Sequence, residues 1–145
     1  MPFKDYLSER KQRVVIHGAL SDLKCVKAGV PQGSILGPLL FLIYINDIVT
    51  DIGSNIRLFA DDTSLYIITD NPVSAAVDLN RDISTITTWA NKWLVKFNPT
   101  KTESLIISRY LNRKTNHPHV HMNNTEILEV ESHKHIGVVL SNDLT

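Results

Sequence analysis

The sequence predicts an α+β fold, in which an antiparallel sheet carries two main helices on one face. Two observations lead to this prediction. An apolar stripe with helical spacing runs through residues 76–93, and short runs rich in β-branched and aromatic residues stand on both sides of it, separated by turn-forming residues. The chain of 145 residues is 43% hydrophobic and 21% charged, so one folded domain can bury a core.

Composition restricts the class of protein. The single cysteine, Cys25, excludes an internal disulfide, and charged residues stand at the start of the chain, where a signal peptide is apolar. The longest apolar run, residues 39–45, is too short to span a bilayer. The formal net charge of zero gives no global signal for nucleic acid. We therefore expect an intracellular protein with no membrane partner, for which nuclear action is an open alternative.

The first third of the chain predicts short strands at residues 13–16 and 24–26, before a segment that no regular element fits. Two glycines and one proline occupy residues 29–33, so this segment should be a loop. A helix should follow over residues 34–48, with Ser34 as its N-cap. Because the apolar residues of this helix lie nearly all the way round, we expect it to be buried.

The centre of the chain predicts a β-hairpin that presents two acids. Residues 55–60 and 64–69 are β-rich, and Asp61, Asp62 and Thr63 lie at or beside the turn between them. Neighbouring carboxylates repel each other, and a divalent cation such as Mg²⁺, which prefers oxygen ligands, would relieve this repulsion. Adjacent side chains of a flat strand point to opposite faces, so both acids can serve one site only if the turn rotates one of them.

Asn71 and Pro72 predict the start of an amphipathic helix. Its buried stripe should consist of residues three or four positions apart: Ala76, Leu79, Ile83, Ile86, Ala90 and Trp93. A loop at residues 98–101, a strand at 103–108, a hairpin of residues 119–122 and 127–130, and a strand at 135–140 should follow. Histidines cluster in this last part, and we favour a surface hairpin over a zinc site for them because no cysteine accompanies them: His117, His119, His121, His133 and His135.

Four groups of residues carry a resemblance to a known family. They are Gly29-Val30-Pro31-Gln32-Gly33-Ser34-Ile35-Leu36-Gly37-Pro38-Leu39-Leu40-Phe41 with Tyr44-Ile45-Asn46-Asp47-Ile48, then Phe59-Ala60-Asp61-Asp62, then Trp89-Ala90-Asn91-Lys92-Trp93 with Asn98 and Lys101-Thr102-Glu103, and finally Ile136-Gly137-Val138. In this order they resemble the palm of a reverse transcriptase, of the type encoded by non-LTR, LINE-like and jockey-like retrotransposons. The resemblance begins at about Tyr6 and implies that residues 1–145 form a partial reverse transcriptase domain.

The resemblance implies an RNA-directed DNA polymerase. Its partners would be an RNA template, a DNA primer and deoxynucleoside triphosphates, and its cofactor would be Mg²⁺, which Mn²⁺ could replace. Asp61 would be the main metal ligand and Asp62 the looser one, in a two-metal nucleotidyl transfer.

The resemblance also assigns roles outside the acid pair. The loop Pro31-Gln32-Gly33, together with Phe59 and Ala60, would contact the incoming nucleotide and its template base. Lys101 would protonate the leaving pyrophosphate, although a solvated surface lysine is an equally simple interpretation. Gly137 would belong to the segment that grips the primer end, and a glycine bulge in a strand is the alternative.

Reverse transcriptases of this type use a third carboxylate from a strand upstream of the Gln32 loop. No segment in residues 1–28 matches its context, and fingers, thumb and endonuclease segments are not recognisable either. We therefore expect a palm fragment that is inactive alone and self-associates through an exposed sheet edge.

Two alternatives stay open: a non-catalytic remnant that binds nucleic acid or another partner, and another palm-type enzyme such as a cyclase. The Gln32-Gly33 loop favours templated synthesis over the cyclase.

Overall fold

The computed structural model of the chain describes residues 2–108 and 117–143. The chain divides into two compact units, Met1–Asp47 and Ile48–Thr145. Across the described residues, every helix is too short or too polar to cross a membrane.

The first unit combines two helices with short strands. Its elements are α1 (Pro2–Leu7), β1 (Lys11–Gln12), β2 (Val15–Ile16), β3 (Ala19–Leu20), β4 (Lys24–Cys25) and α2 (Leu36–Ile45). Strand β1 pairs with β4 and β2 with β3, both antiparallel. The two strands predicted from the sequence are thus present in part. Helix α1 and strands β1 and β3 were not predicted, because six residues and two residues are too few to show a period.

Helix α2 differs from its prediction in length and in burial. It begins at Leu36, and its N-cap is Ile35 in place of the predicted Ser34. The Ser34 hydroxyl still accepts a hydrogen bond from the Gly37 amide at 3.1 Å. A 3₁₀ turn, Asn46–Val49, replaces its last α-helical turn. The expected burial is wrong: Gly37 and Ile45 are buried, but Leu39, Leu42 and Ile43 are 53%, 56% and 65% exposed. The strands of the first unit have only two residues each, too little surface to cover a helix that is apolar all round.

The second unit contains the long helix and the remaining strands. Its elements are β5 (Asn55–Phe59), β6 (Asp62–Tyr66), α3 (Pro72–Trp93), a 3₁₀ turn (Pro99–Lys101), β7 (Glu103–Ser104), β8 (His121–Met122), β9 (Thr125–Glu126), β10 (Leu128–Glu129), β11 (Ser132–His135) and β12 (Val138–Ser141). Strand β5 pairs with β6, β8 with β9 and β11 with β12, all antiparallel, whereas β7 and β10 are parallel.

The mixture of helices and strands confirms the α+β class. Among the described residues, however, the strands form separate two-stranded ladders in place of the predicted antiparallel sheet. Most strands have two residues, which leaves few backbone groups for pairing on a second edge. The palm arrangement, with two helices on one face, and self-association through a sheet edge stay predictions.

Helix α3 carries the core of the second unit and agrees with its prediction. The Asn71 side chain accepts hydrogen bonds from the amides of Val73 and Ser74 at 3.1 and 3.3 Å, with Pro72 at the first helical position. The predicted stripe is buried at Ala76, Ile83, Ile86 and Ala90, while Trp93 is 38% exposed. One buried cluster joins this helix to the later strands: Ile83, Met122 and Ile127, flanked by Leu65, Phe97 and Val120.

Three predicted elements near the C-terminus differ from the structure. The hairpin predicted from residues 119–122 and 127–130 is present only in part, because β8 pairs with β9 and β10 pairs in parallel with β7. The strand expected at 103–108 ends at Ser104, although the Ser108 amide still donates to the Asn142 carbonyl at 2.9 Å. The single strand expected at 135–140 is wrong, because β11 and β12 form a hairpin whose turn contains Ile136 and Gly137. Both turn residues have positive φ, at 48° and 83°. The sequence does not predict this turn, because isoleucine is β-branched and β-branched residues normally favour strands.

The most buried polar group, Asp82, was not predicted. It lies on α3 with a fully buried side chain, and its carboxylate accepts hydrogen bonds from the Ser54 amide at 2.7 Å and from the Ser54 hydroxyl. Burial acts to raise the pKa of Asp82, but the hydrogen bonds from Ser54, the Gly53 amide and Arg81 outweigh burial and hold the pKa below its usual value. This carboxylate therefore ties the segment that enters β5 to the long helix.

We expect Asp82→Asn to lower the free energy of unfolding of the second unit by about 1–3 kcal/mol at pH 7, because buried donors lose their charged acceptor. The folded pKa of Asp82 lies below the unfolded value, so its stabilisation is present above about pH 4 and disappears as the pH falls through the folded pKa. Urea unfolding followed by helical circular dichroism should show the gap between wild type and variant narrowing from pH 7 to pH 3.

Asp78→Asn is the matched control. Asp78 lies one turn earlier on α3, and its 45% exposed side chain pairs with Arg81 at 3.0 Å. An exposed ion pair contributes roughly 0.5 kcal/mol or less, so this variant should unfold nearly like wild type. Equal losses in the two variants would contradict the assignment of Asp82 as the buried anchor.

Candidate active site

The two acids lie where a two-residue turn joins β5 and β6. Phe59 pairs with Asp62 across the ladder, so Ala60 and Asp61 are the central turn residues and Asp62 begins β6. Ala60 has φ +50° and Asp61 does not have positive φ, the sign pattern of a type II′ turn. The prediction of a hairpin with the acids at its turn is confirmed.

Both carboxylates of this turn are free to bind. Asp61 and Asp62 are exposed, and neither side-chain carboxylate makes a hydrogen bond or an ion pair within residues 2–108 and 117–143. The same residues contain no group of three or more acidic, histidine or cysteine side chains that could hold a metal ion. Two adjacent carboxylates fit the donor chemistry of Mg²⁺, which commonly takes one or two carboxylates and completes its shell with water and phosphate oxygens.

The ladder register divides the hairpin into two faces. Leu65 packs against the cluster around Ile83 on α3, so the face that carries Leu65 points into the second unit. Side chains alternate along a strand, and Asp62 therefore lies on the opposite face. This outer face also carries Phe59, which is 57% exposed, and Arg57 and Tyr66, which are exposed as well. Asp62 thus opens β6 on the solvent side of the hairpin.

The Gln32 loop belongs to the first unit and is irregular, as predicted. Gln32 and Gly33 form a turn in which Gly33 has φ +78°, a conformation that glycine adopts without steric cost. Gln32 is exposed, and its side-chain amide has no hydrogen-bond partner among the described residues. The Pro31 carbonyl accepts hydrogen bonds from the amide and the hydroxyl of Ser34, at 3.3 and 2.7 Å. The loop therefore offers an unused donor and acceptor on a defined turn.

Two residues near the N-terminus hold this loop on both sides. The Tyr6 hydroxyl donates to the Ser34 hydroxyl at 2.5 Å. The Arg10 guanidinium donates to the carbonyls of Gly29 at 2.5 Å and of Leu7 at 3.1 Å. Sequence analysis missed both, because these partners are 28 and 19 residues apart along the chain. No periodicity or motif spacing identifies such a pair in one sequence.

Lys101 and Gly137 lie in separate parts of the second unit. Lys101 is exposed at the end of the 3₁₀ turn that Asn98 caps, with the Asn98 side chain accepting from the Thr100 amide at 3.0 Å. Gly137 is exposed in the β11–β12 turn and is not the bulge considered from the sequence. Within the described residues, no hydrogen bond or ion pair links either residue to the Asp61–Asp62 turn. Their roles stay predictions.

The histidines of the last strands pair with glutamates. Each pair joins an imidazole nitrogen to a carboxylate oxygen: His117–Glu129 at 3.1 Å, His119–Glu126 at 2.7 Å and His133–Glu103 at 2.7 Å. These pairs are partly or largely exposed. They agree with the surface interpretation that the sequence favoured over a zinc site.

Comparison with known proteins identifies a matching family. The family model described as reverse transcriptase (RNA-dependent DNA polymerase) matches residues 2–140. The chain is 31% identical over 98% of its length to the RNA-directed DNA polymerase from mobile element jockey of Drosophila melanogaster. It is 33% identical, again over 98% of its length, to the probable RNA-directed DNA polymerase from transposon X-element of the same organism.

A third relative covers less of the chain. The probable RNA-directed DNA polymerase from transposon BS of Drosophila melanogaster is 32% identical over 68% of the chain and has 12% of its own length matched. The chain spans 16% of the jockey and X-element proteins. No solved structure matches the chain significantly.

We expect Arg10→Ala to loosen the Gln32 loop without unfolding the first unit, because its carbonyls lose their charged donor. Hydrogen exchange should speed up at the Ser34 and Gly37 amides, which close this loop onto Pro31 and Ser34. Arg13→Ala removes a nearby exposed arginine for which no hydrogen bond or ion pair occurs among the described residues, and should leave both amides unchanged. Equal exchange in the two variants would show that Arg10 does not hold the loop.

Proposed function

The chain belongs to the reverse transcriptase (RNA-dependent DNA polymerase) family, and we propose that it forms the palm part of the RNA-directed DNA polymerase of a non-LTR retrotransposon. The observation that supports this most is the presentation of Asp61 and Asp62 together at the tip of a tight hairpin, with both carboxylates exposed and without a partner in the described part of the chain. A solvated turn needs no second carboxylate, whereas nucleotidyl transfer needs carboxylates aimed at metal-bound phosphates.

Asp61 and Asp62 would hold Mg²⁺, or Mn²⁺ in its place. Bound divalent ions stabilise the entering and leaving oxygens when a primer 3′-hydroxyl attacks the α-phosphorus of a nucleotide and pyrophosphate leaves. Asp61, at the centre of the turn, is proposed as the main ligand. Asp62 is proposed as the looser ligand, and its place on the outer face of the hairpin leaves it accessible to a nucleic-acid strand.

The Gln32 loop is proposed to receive the incoming nucleotide and its template base. The free side-chain amide of Gln32 can donate and accept hydrogen bonds, which suits the polar edges of a base or sugar. Gly33 lets the backbone come close to a ligand. Pro31 stabilises the turn through its carbonyl. In the second unit, Phe59 and Ala60 are proposed, on the family resemblance, to contact the incoming nucleotide or its template base.

Two further residues complete the proposed assignment. Lys101 would protonate the leaving pyrophosphate or stabilise its charge, and its exposed ammonium is not engaged in an ion pair among the described residues. Gly137 would belong to the segment that holds the primer end, as part of the β11–β12 turn. The partners would be an RNA template, a DNA primer and deoxynucleoside triphosphates.

The third carboxylate of the family has no counterpart among the motifs of this chain. Two carboxylates should bind the catalytic ions weakly, and we propose that the 145-residue chain alone does not catalyse synthesis. The competing function is a remnant that binds nucleic acid without turnover, for which tight and salt-sensitive binding to a primer–template is the expected sign.

A chimera tests the polymerase role. We would replace the matching segment of the jockey polymerase with this chain, which aligns over 98% of its length. The chimera should extend a DNA primer on an RNA template with Mg²⁺. Asp61→Asn or Asp62→Asn should lower the rate on the order of 100-fold or more, because metal ions contribute several kcal/mol to the transition state.

The control for the chimera is Asp51→Asn. Asp51 is an exposed acid with φ +62°, a conformation that asparagine tolerates, so the rate should stay within about twofold. An active chimera that keeps its rate after Asp61→Asn would refute the assignment of the acid pair.

The isolated chain is expected to be inactive. Primer extension on poly(rA) with an oligo(dT) primer, in Mg²⁺ or Mn²⁺, should give no product above a sample that lacks protein. A robust rate that Asp61→Ala abolishes would show that two carboxylates of this chain suffice, and would overturn the inactivity proposal.

A further inference from the structure

We propose that Arg57 binds a phosphodiester group of a nucleic-acid strand that lies along the outer face of β5 and β6. Arg57 lies outside the four groups of residues that carry the family resemblance. The identity of the strand as a primer–template rests on the proposed function, but the contact itself follows from the charge and geometry of the hairpin.

The ladder register puts Arg57 on the same face as Asp62. Arg57 pairs with Ser64 and Phe59 pairs with Asp62, so the arginine stands two residues along β5 from the acid position. At about 3.3 Å per residue this offset is roughly 7 Å. This separation is short enough for one nucleic-acid strand to contact Arg57 and the acid pair together.

The guanidinium of Arg57 is held in one orientation. It donates to the Ile56 carbonyl at 2.9 Å and to the Tyr66 hydroxyl at 3.1 Å, and its central carbon lies 5.5 Å from the centre of the Tyr66 ring. These contacts use two of the five N–H donors of an arginine. The remaining donors form a fixed fork, and a planar fork of this kind suits the two oxygens of a phosphate.

The charge of Arg57 is not compensated. Among the described residues no carboxylate lies within ion-pair distance of its guanidinium. Arg81 is the contrast, because it pairs with Asp78 at 3.0 Å and with Asp82 at 3.4 Å. An exposed arginine that is oriented by an aromatic ring and has no acidic partner among the described residues can bind an anionic ligand without first breaking an ion pair.

The composition of the face favours a nucleic acid as this ligand. The exposed ring of Phe59 lies between Arg57 and the turn, and aromatic rings stack on bases and sugars. The acids at the tip would bind a phosphate through a metal ion, and the arginine would bind a phosphate directly. An aromatic ring flanked by these two kinds of phosphate site matches one continuous strand.

Binding of the full 145-residue chain to a fluorescent DNA primer annealed to an RNA template tests the proposal. Anisotropy titrations at several salt concentrations give the affinity and its salt slope. Arg57→Ala should weaken binding and reduce the slope by about 1, the value for one lost phosphate contact. Arg57→Lys should keep the slope and lose several-fold in affinity, because the charge remains while the fork and its stacking are lost.

Arg13→Ala is the control, since it removes the same charge from an exposed arginine that no aromatic ring orients, and it should leave the slope unchanged. Circular dichroism and urea midpoints establish that each variant is folded. An unchanged slope and affinity for Arg57→Ala would overturn the proposal, as would a wild-type chain that does not bind the primer–template. Loss of self-association with unchanged nucleic-acid binding would also overturn it and would assign the face to a second copy.

The two proposals fail separately. An inactive chimera together with a reduced salt slope in Arg57→Ala would refute the polymerase role and support the phosphate contact. An active chimera with an unchanged slope would refute the phosphate contact alone.

Discussion

The buried carboxylate of Asp82 is the interaction on which the placement of the acid pair depends. Its hydrogen bonds to Ser54 tie the start of β5 to α3, and Leu65 packs the inner face of the hairpin against the same helix. One ladder of five residue pairs then leads from this anchor to the turn. The far end of the hairpin can therefore carry exposed charge, because its near end and its inner face are held by the core.

Acidic side chains of the second unit differ in burial and in hydrogen bonding. Asp82 is buried and fully hydrogen-bonded, so its charge is stabilised within the fold. Asp61 and Asp62 are exposed without partners among the described residues, so the fold leaves their charge to be compensated from outside. A carboxylate that the fold leaves unpaired can bind a ligand without breaking an internal contact, so binding costs only the displacement of its hydration water.

Sequence patterns predicted the elements that depend on local chemistry. Helix α3, its Asn71 cap and the hairpin around Asp61 follow from periodicity, capping residues and β-propensity, all of which act over a few residues. The exposure of Leu39 and Ile43 on α2 depends on what the rest of the fold offers to cover them, which composition does not contain. Asp82 and Arg10 contact residues that are 28 and 19 positions away along the chain, and no pattern in a single sequence predicts contacts between such distant positions. The turn at Ile136 was missed because a β-branched residue there opposes its own preference.

Ala60 gives the turn a restricted range of acceptable sequences. The left-handed conformation of Ala60 costs an L-residue roughly 1–2 kcal/mol of conformational free energy. Alanine has the smallest side chain after glycine, so it adds the least steric strain to this cost. A valine or isoleucine at this position would raise the cost further, whereas glycine would remove it and leave a looser turn. A larger side chain at position 60 should therefore destabilise the turn, even though Ala60 has no functional group of its own. The backbone angle at Ala60 thus limits which residues can stand beside the acid pair, independently of any chemistry at the turn.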